Sequence, residues 1–223
     1  MTLATKLIST LFIFLTLPAL GQHSKSRIGF KLLPGVSDTH DPTVQQNFQN
    51  RIHPRFTFNF GGQYIHSIKD STFFIETGFY YTDRGTKQSD FISEYYTSQG
   101  NFTKKSDIYI HNYYFSLPLL FRFERRHFYV SFGGSIDYYS HTKWIWTPEE
   151  DNIEKNNYRP NGFSNSFKFG ANLNIGAQIK IAERIGLYIE GNINPSEFYR
   201  NPFDKKLFFF WNYLLGTGLT LKI

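Results

Sequence analysis

The chain contains no cysteine, which excludes a disulfide framework, a thiolate nucleophile, a zinc–thiolate centre and lipid attachment through an N-terminal cysteine. After the first twenty or so residues it also lacks any apolar run long enough for a transmembrane helix, which needs ~20 residues. Basic residues outnumber acidic ones, 24 to 18, for a formal net charge of +6. They are scattered along the chain and form no run or stripe, so the electrostatic footprint of a nucleic-acid binder is missing and no nucleic-acid partner is expected. The seven histidines are likewise dispersed without ligand spacing, so no metal and no cofactor is expected.

What the chain has in excess is aromatic residues: 25 Phe and 15 Tyr, with aromatics at 19%. Yet its mean hydropathy is −0.39. Many aromatics beside many polar residues suit a protein with one greasy and one wet surface, the division found in a lipid-spanning barrel. Residues 1–21 carry one early cation, Lys6, an apolar run from Leu7 to Leu20, and a small-residue ending at Ala19-Leu20-Gly21. That is the pattern of a cleaved signal peptide, which would leave residues 22–223 as one mature, exported domain.

The rest of the chain alternates at period two, the signature of strands with two different faces. In residues 167–181, Phe167, Phe169, Leu173, Ile175, Ile179 and Ile181 fall on one face, and Lys168, Gly170, Asn172, Asn174 and Gln178 on the other. Fifteen alternating residues exceed a soluble strand of ~5–6 and cover the ~9–11 that cross a bilayer when tilted. Seven further segments behave similarly, starting near Arg27, Arg55, Thr72, Ile108, Phe128, Ile185 and Phe209. Connections at residues 69–71, 124–127 and 182–184 are tight, whereas those at 37–54, 84–107, 144–164 and 199–206 are long and polar. Strict alternation of short and long connections predicts an all-β fold: an eight-stranded antiparallel up-and-down transmembrane β-barrel in the outer membrane. A soluble lipocalin-like barrel would instead turn its apolar face inward.

Two stretches carry a family resemblance. Glu76-Thr77-Gly78-Phe79-Tyr80-Tyr81, running on through Thr82-Asp83-Arg84-Gly85-Thr86-Lys87, is one. Asn112-Tyr113-Tyr114-Phe115-Ser116-Leu117-Pro118-Leu119-Leu120 is the other, followed by the aromatic strand from Phe128 to Gly134. Across the mature chain these resemble the PorT-like small outer-membrane β-barrel proteins. The resemblance implies the fold and the location. Some proteins similar to this group take part in type IX secretion and gliding, but no motif here separates those members from the others.

The face assignments put Arg27, Lys31, Arg55, Glu76, Arg122, Asp137, Lys168, Lys180, Glu190 and Lys222 inside the barrel. An eight-stranded barrel is only just wide enough for side chains to fill it, so the expected state is a lumen plugged by paired charges. Seven of the ten are cationic, which raises a narrow anion-selective channel or small-solute transporter as the alternative. His111, Ser140 and His141 lie beside long connections, but their spacing gives no nucleophile–base–acid constellation. No catalytic residue is therefore assigned, and the protein is expected not to be an enzyme. Asp38, His40 and Asp41 read as a solvated loop cluster, and Trp144 and Trp146 as interfacial anchors. Outer-membrane lipid is one expected partner. An envelope protein is the other, engaged through long extracellular loops such as the one holding Phe91, Tyr95, Tyr96 and Phe102. The expected role is that of a structural or interaction component of the cell envelope, with an accessory part in type IX secretion as a further alternative.

Overall fold

A sheet that is apolar on one face and polar on the other, placed in lipid, must close on itself to satisfy its edge hydrogen bonds. The computed structural model shows that outcome. It describes residues 26–40, 52–69, 72–97, 100–148, 154–158, 167–200 and 207–223. Their regular elements are strands alone: β1 (Arg27–His40), β2 (Ile52–His53), β3 (Arg55–Lys69), β4 (Phe73–Thr97), β5 (Gly100–Arg125), β6 (Phe128–Pro148), β7 (Glu154–Tyr158), β8 (Phe167–Lys180), β9 (Ile185–Arg200) and β10 (Leu207–Lys222). Leaving aside the short β2 and β7, eight strands form the wall. Each pairs antiparallel with its neighbours in the chain. β1 also pairs with β10, from Arg27↔Lys222 to His40↔Phe209, and closes the cylinder.

The faces follow the alternation. Leu119 is 61% exposed and its neighbour Leu120 2%. Phe30, Phe121, Phe132, Ile175 and Leu219 also point outward, while Lys31, Glu76, Arg122, Asn174 and Glu190 are buried. Charge inside and hydrocarbon outside is the reverse of a soluble barrel, so the lipocalin-like alternative is excluded. The two-residue turn at Arg126-His127, the bend at residues 181–184 and Thr72, just before β4, all lie at the end that holds Ser26 and Ile223. In an up-and-down outer-membrane barrel this is the periplasmic end.

At the opposite end the strands run further than the sequence pattern predicts. Much of the expected loop at residues 84–107 is a hairpin, with β4 and β5 paired from Phe91↔Ser106 to Thr97↔Gly100. β6 continues to Pro148 and pairs with β7 from Thr142↔Tyr158 to Trp146↔Glu154, and β2 pairs with β4 at Gln88 and Lys87. A hairpin standing in water needs no apolar face, so alternation stops reporting it while β-favouring Thr, Tyr, Ile and Phe sustain it. The predicted signal segment, residues 1–21, lies outside the described residues.

Candidate functional site

The barrel interior holds the densest charge in the molecule. Lys31 Nζ donates to Glu76 at 2.8 Å and to Glu190 at 2.9 Å. Arg122 donates from Nη1 to Glu76 at 3.0 Å and from Nε to Glu124 at 2.6 Å. Arg27 reaches the same Glu124 at 2.7 Å and Gln178 at 2.7 Å. The Tyr129 hydroxyl donates to Glu190 at 2.8 Å, and its ring centroid lies 3.5 Å from the Arg122 guanidinium carbon. Gly176 makes that reach possible, since a Cβ there would stand 2.4 Å from the Tyr129 hydroxyl. Cross-strand register is what joins these groups: cations of β1 and β5 meet carboxylates of β4, β5 and β9, and Tyr129 of β6 bridges Arg122 and Glu190.

Nearer the extracellular end a second group forms. Arg84 donates to Asp137 at 2.7 Å and to Asn194 at 2.7 Å, and its guanidinium stacks over the Tyr114 ring at 4.9 Å. Asp137 also accepts from Ser116. Beside it, the pairing of β3 with β4 reaches only to Asn59↔Thr82. Arg55 fills the seam beyond. It donates to the carbonyls of Phe56, Arg84 and Ile110 at 2.6–2.7 Å and grips Asp83 through both Nη atoms at 2.8 and 2.5 Å. Gly85, at φ 148°, lets the backbone pass here, since a Cβ would meet the Ile110 carbonyl at 2.0 Å. A guanidinium fork is the side chain able to satisfy several strand carbonyls and a carboxylate at once.

Lumen and seam together bring five cations (Arg27, Lys31, Arg55, Arg84, Arg122) against five carboxylates (Glu76, Asp83, Glu124, Asp137, Glu190), every one in a salt bridge. The cavity left at mid-barrel, between Lys31, Glu76, Tyr80 and Glu190, is about 20 Å³, room for about one water. The expected cationic excess inside is therefore corrected. Lys180 and Lys222 have the right parity but stand exposed at the periplasmic mouth, and Lys168 is only half-buried near the other end. Arg84 and Glu124 were assigned to connections and Asp83 to neither face, so all three were missed. Parity alone would have found Arg84, which continues the inward series Glu76, Tyr80, Thr82. Asp83 has outward parity, and only the interrupted pairing beside it brings Arg55 within reach.

The residues considered for catalysis sit on the outer surface of β5 and β6. His111 Nδ1 lies 3.1 Å from Asp83 and stacks on Tyr113; His141 also stacks on Tyr113, at 4.6 Å, and lies 3.1 Å from Ser140. Ser140 is the extra residue of a β-bulge where the register passes from Tyr113↔His141 to Tyr114↔Tyr139. The histidine beside the carboxylate, His111, is thus a different one from the histidine beside the hydroxyl, His141, whereas a triad needs one base to touch both. With Tyr81 and Tyr113 the two histidines make up an aromatic cluster on the outer face. Trp144 and Trp146, expected as interfacial anchors, pair past the bulge with Ile110 and Ile108 and fall on the inward parity instead. Asp38 accepts the Thr39 amide at 2.8 Å within β1, and Asp41 lies outside the described residues. Phe91, Tyr95, Tyr96 and Phe102 belong to the β4–β5 hairpin, not to a loop.

A closed eight-stranded antiparallel barrel, hydrocarbon outside and ion-paired inside, defines the class as a transmembrane β-barrel. The outer membrane protein beta-barrel domain family matches residues 7–207. The chain belongs to that family and resides in the outer membrane. No curated protein matches it significantly. Among solved structures it is similar to Neisserial surface protein A (8% identity, TM-score 0.42, covering 91% of this chain and 100% of that one). It is also similar to Ail, the attachment invasion locus protein of Yersinia pestis (14%, 0.41, 88% and 99%). A third similar structure is the outer membrane protease OmpT from Escherichia coli (7%, 0.41, 92% and 98%). At these identities and scores none of them carries a role to this chain.

Proposed function

We propose that this outer-membrane barrel is a non-enzymatic structural or interaction component of the cell envelope, with a plugged lumen and a working surface at its extracellular end. The observation that carries the reading is the balanced lattice of Lys31, Glu76, Arg122, Glu190 and their partners around a mid-barrel cavity of about 20 Å³. A conducting path would have to break several buried ion pairs at once, each break leaving a charge without a partner. On the outside, β4, β5, β6 and β7 extend one side of the wall into a raised sheet, a platform suited to a protein partner. The two strand motifs from Glu76 and from Asn112 favour a place among the PorT-like barrels; an accessory part in type IX secretion, which those motifs do not single out, is the partner-dependent alternative.

Two measurements test this. The refolded protein in a planar bilayer is expected to give no steady current; a stable ohmic step would overturn the plug and favour a narrow channel or small-solute transporter. A tagged copy drawn from its native outer membrane in mild detergent is expected to bring an envelope protein in fixed stoichiometry. Recovery of the barrel alone would remove the interaction role.

A further inference from the structure

The periplasmic mouth has chemistry that the plugged lumen does not use. An open cavity of about 400 Å³ lies there, within the ~300–1,000 Å³ of small-molecule sites. Arg27, Arg126, Lys180, Arg184 and Lys222 line it, against only Glu124 and Glu183. Glu124 is already held by Arg27 and Arg122 at 2.7 and 2.6 Å, so it offers the cavity little negative charge. Arg27 forms part of the wall, fixed by Glu124 and Gln178 and stacked over Phe74 at 4.7 Å. Among the described residues, the other four cations take part in no salt bridge.

An independent feature points to the same place. Arg126 occupies the first position of the two-residue turn between Arg125 and Phe128 with φ 57°, where glycine or asparagine sits at little cost. A β-turn at the membrane edge has no need of a large cation in a left-handed conformation. Strain kept at one residue whose side chain lines a cavity is the mark of a functional position. Two guanidinium forks, Arg126 on the β5–β6 turn and Arg184 on the β8–β9 bend, line the cavity together with the ammonium groups of Lys180 and Lys222, and forks of that kind match the oxygens of a phosphate.

We infer that the periplasmic mouth is a binding site for a phosphoryl group carried by a small organic moiety. The group could come from a soluble phosphate ester or from a phospholipid headgroup of the inner leaflet, because both present the same oxygens to the same cations.

The test uses the full barrel refolded in dodecyl maltoside, a detergent without phosphate. Calorimetric titration with glycerol 3-phosphate is one arm, and addition of short-chain phosphatidylglycerol to the micelles is the other. Saturable binding in the first arm identifies a soluble ligand, and binding in the second alone identifies a lipid headgroup; either supports the site. Arg126→Gly relaxes the turn while removing the cation. It is expected to raise the urea midpoint of unfolding yet weaken binding by about tenfold or more, the loss of one charge-assisted hydrogen bond. Arg184→Gln, which leaves the backbone alone, is expected to weaken binding to a similar degree, whereas Lys87→Ala at the far end of the barrel is expected to leave it unchanged. No saturation in either arm overturns the inference, as does undiminished binding by Arg126→Gly with the barrel still folded by its heat-modifiable mobility.

Discussion

Two salt bridges in this molecule have the same length and opposite meanings. Lys31 meets Glu76 at 2.8 Å with 4% and 0% of the side chains exposed; Lys87 meets Asp107 at 2.8 Å with 26% and 35% exposed. The first lies in the middle of the lumen, where Glu76 also holds Arg122 and Lys31 also holds Glu190. The second stands on the raised β4–β5 hairpin, facing water. Inside, neither ion has bulk water to fall back on, so loss of a partner leaves a bare charge in a weakly screening medium. Outside, solvent and salt replace the partner almost as well. Geometry alone therefore says little; surroundings decide which pair holds the barrel together.

The sharpest way to break that contrast is Glu76→Ala, which leaves the interior one positive charge in excess, Lys31 keeping only Glu190 and Arg122 only Glu124. Urea unfolding in micelles is expected to show a loss of about 3–5 kcal/mol, as for removal of one member of a buried pair. The double variant Lys31→Ala/Glu76→Ala is expected to cost less than the sum of the two single changes, by about 0.5–3 kcal/mol. Strict additivity would mean that the lumen is wet and its charges screened.

Arg55→Lys tests an intermediate environment, the seam between β3 and β4. An ammonium keeps the charge opposite Asp83 but cannot serve three carbonyls as well. The expected loss is about 2 kcal/mol, with faster hydrogen exchange of amides near Arg84 and Ile110. Unchanged exchange would show that the seam is held by something other than the guanidinium.

Lys87→Ala is expected to cost less than about 1 kcal/mol, and that contribution should vanish in high salt while the Glu76→Ala effect persists. The hydrogen bond with Lys87 lowers the Asp107 carboxyl pKa from its ordinary value, and the hydrogen bond to Asp107 raises the Lys87 ammonium pKa from its own. A lowered carboxyl pKa gives stability that is present above its ordinary value and lost as pH falls through the lowered one. A raised ammonium pKa gives stability that is complete below its ordinary value and lost as pH rises through the raised one. The pair thus contributes fully between the ordinary carboxylate and lysine values. A wild-type minus Lys87→Ala difference that did not shrink toward both acid and alkali would contradict this assignment.

The same contrast explains what could be read from the chain. Within the membrane, each residue is either in lipid or in the lumen, so Leu119 and Leu120 announce their environments by parity, and most of the buried charges followed. Two kinds of feature escaped. The hairpin within residues 84–107 has no run of alternating apolar and polar residues to betray a strand, yet β4 and β5 pair through it. Asp83 and Arg55 meet only because strand pairing lapses at Asn59↔Thr82, a tertiary event without a sequence period. Glu124 read as part of a tight turn, yet it accepts from Arg122 and from Arg27, on a strand far away in the chain.

Taken alone, the sequence determined the strand faces, the eight-strand count, the alternation of turns and loops, and with them an outer-membrane barrel. These are local properties, set by a two-residue period and by turn chemistry. Which cation meets which carboxylate was decided only when β1 closed against β10 and brought Lys31 between Glu76 and Glu190, since pair identity depends on register and shear around the whole cylinder. The interior charge balance has the same origin. Closure buried Arg84 and Asp83, half-buried Glu124 and left Lys180 and Lys222 at the mouth, so an expected excess of cations became five cations against five carboxylates.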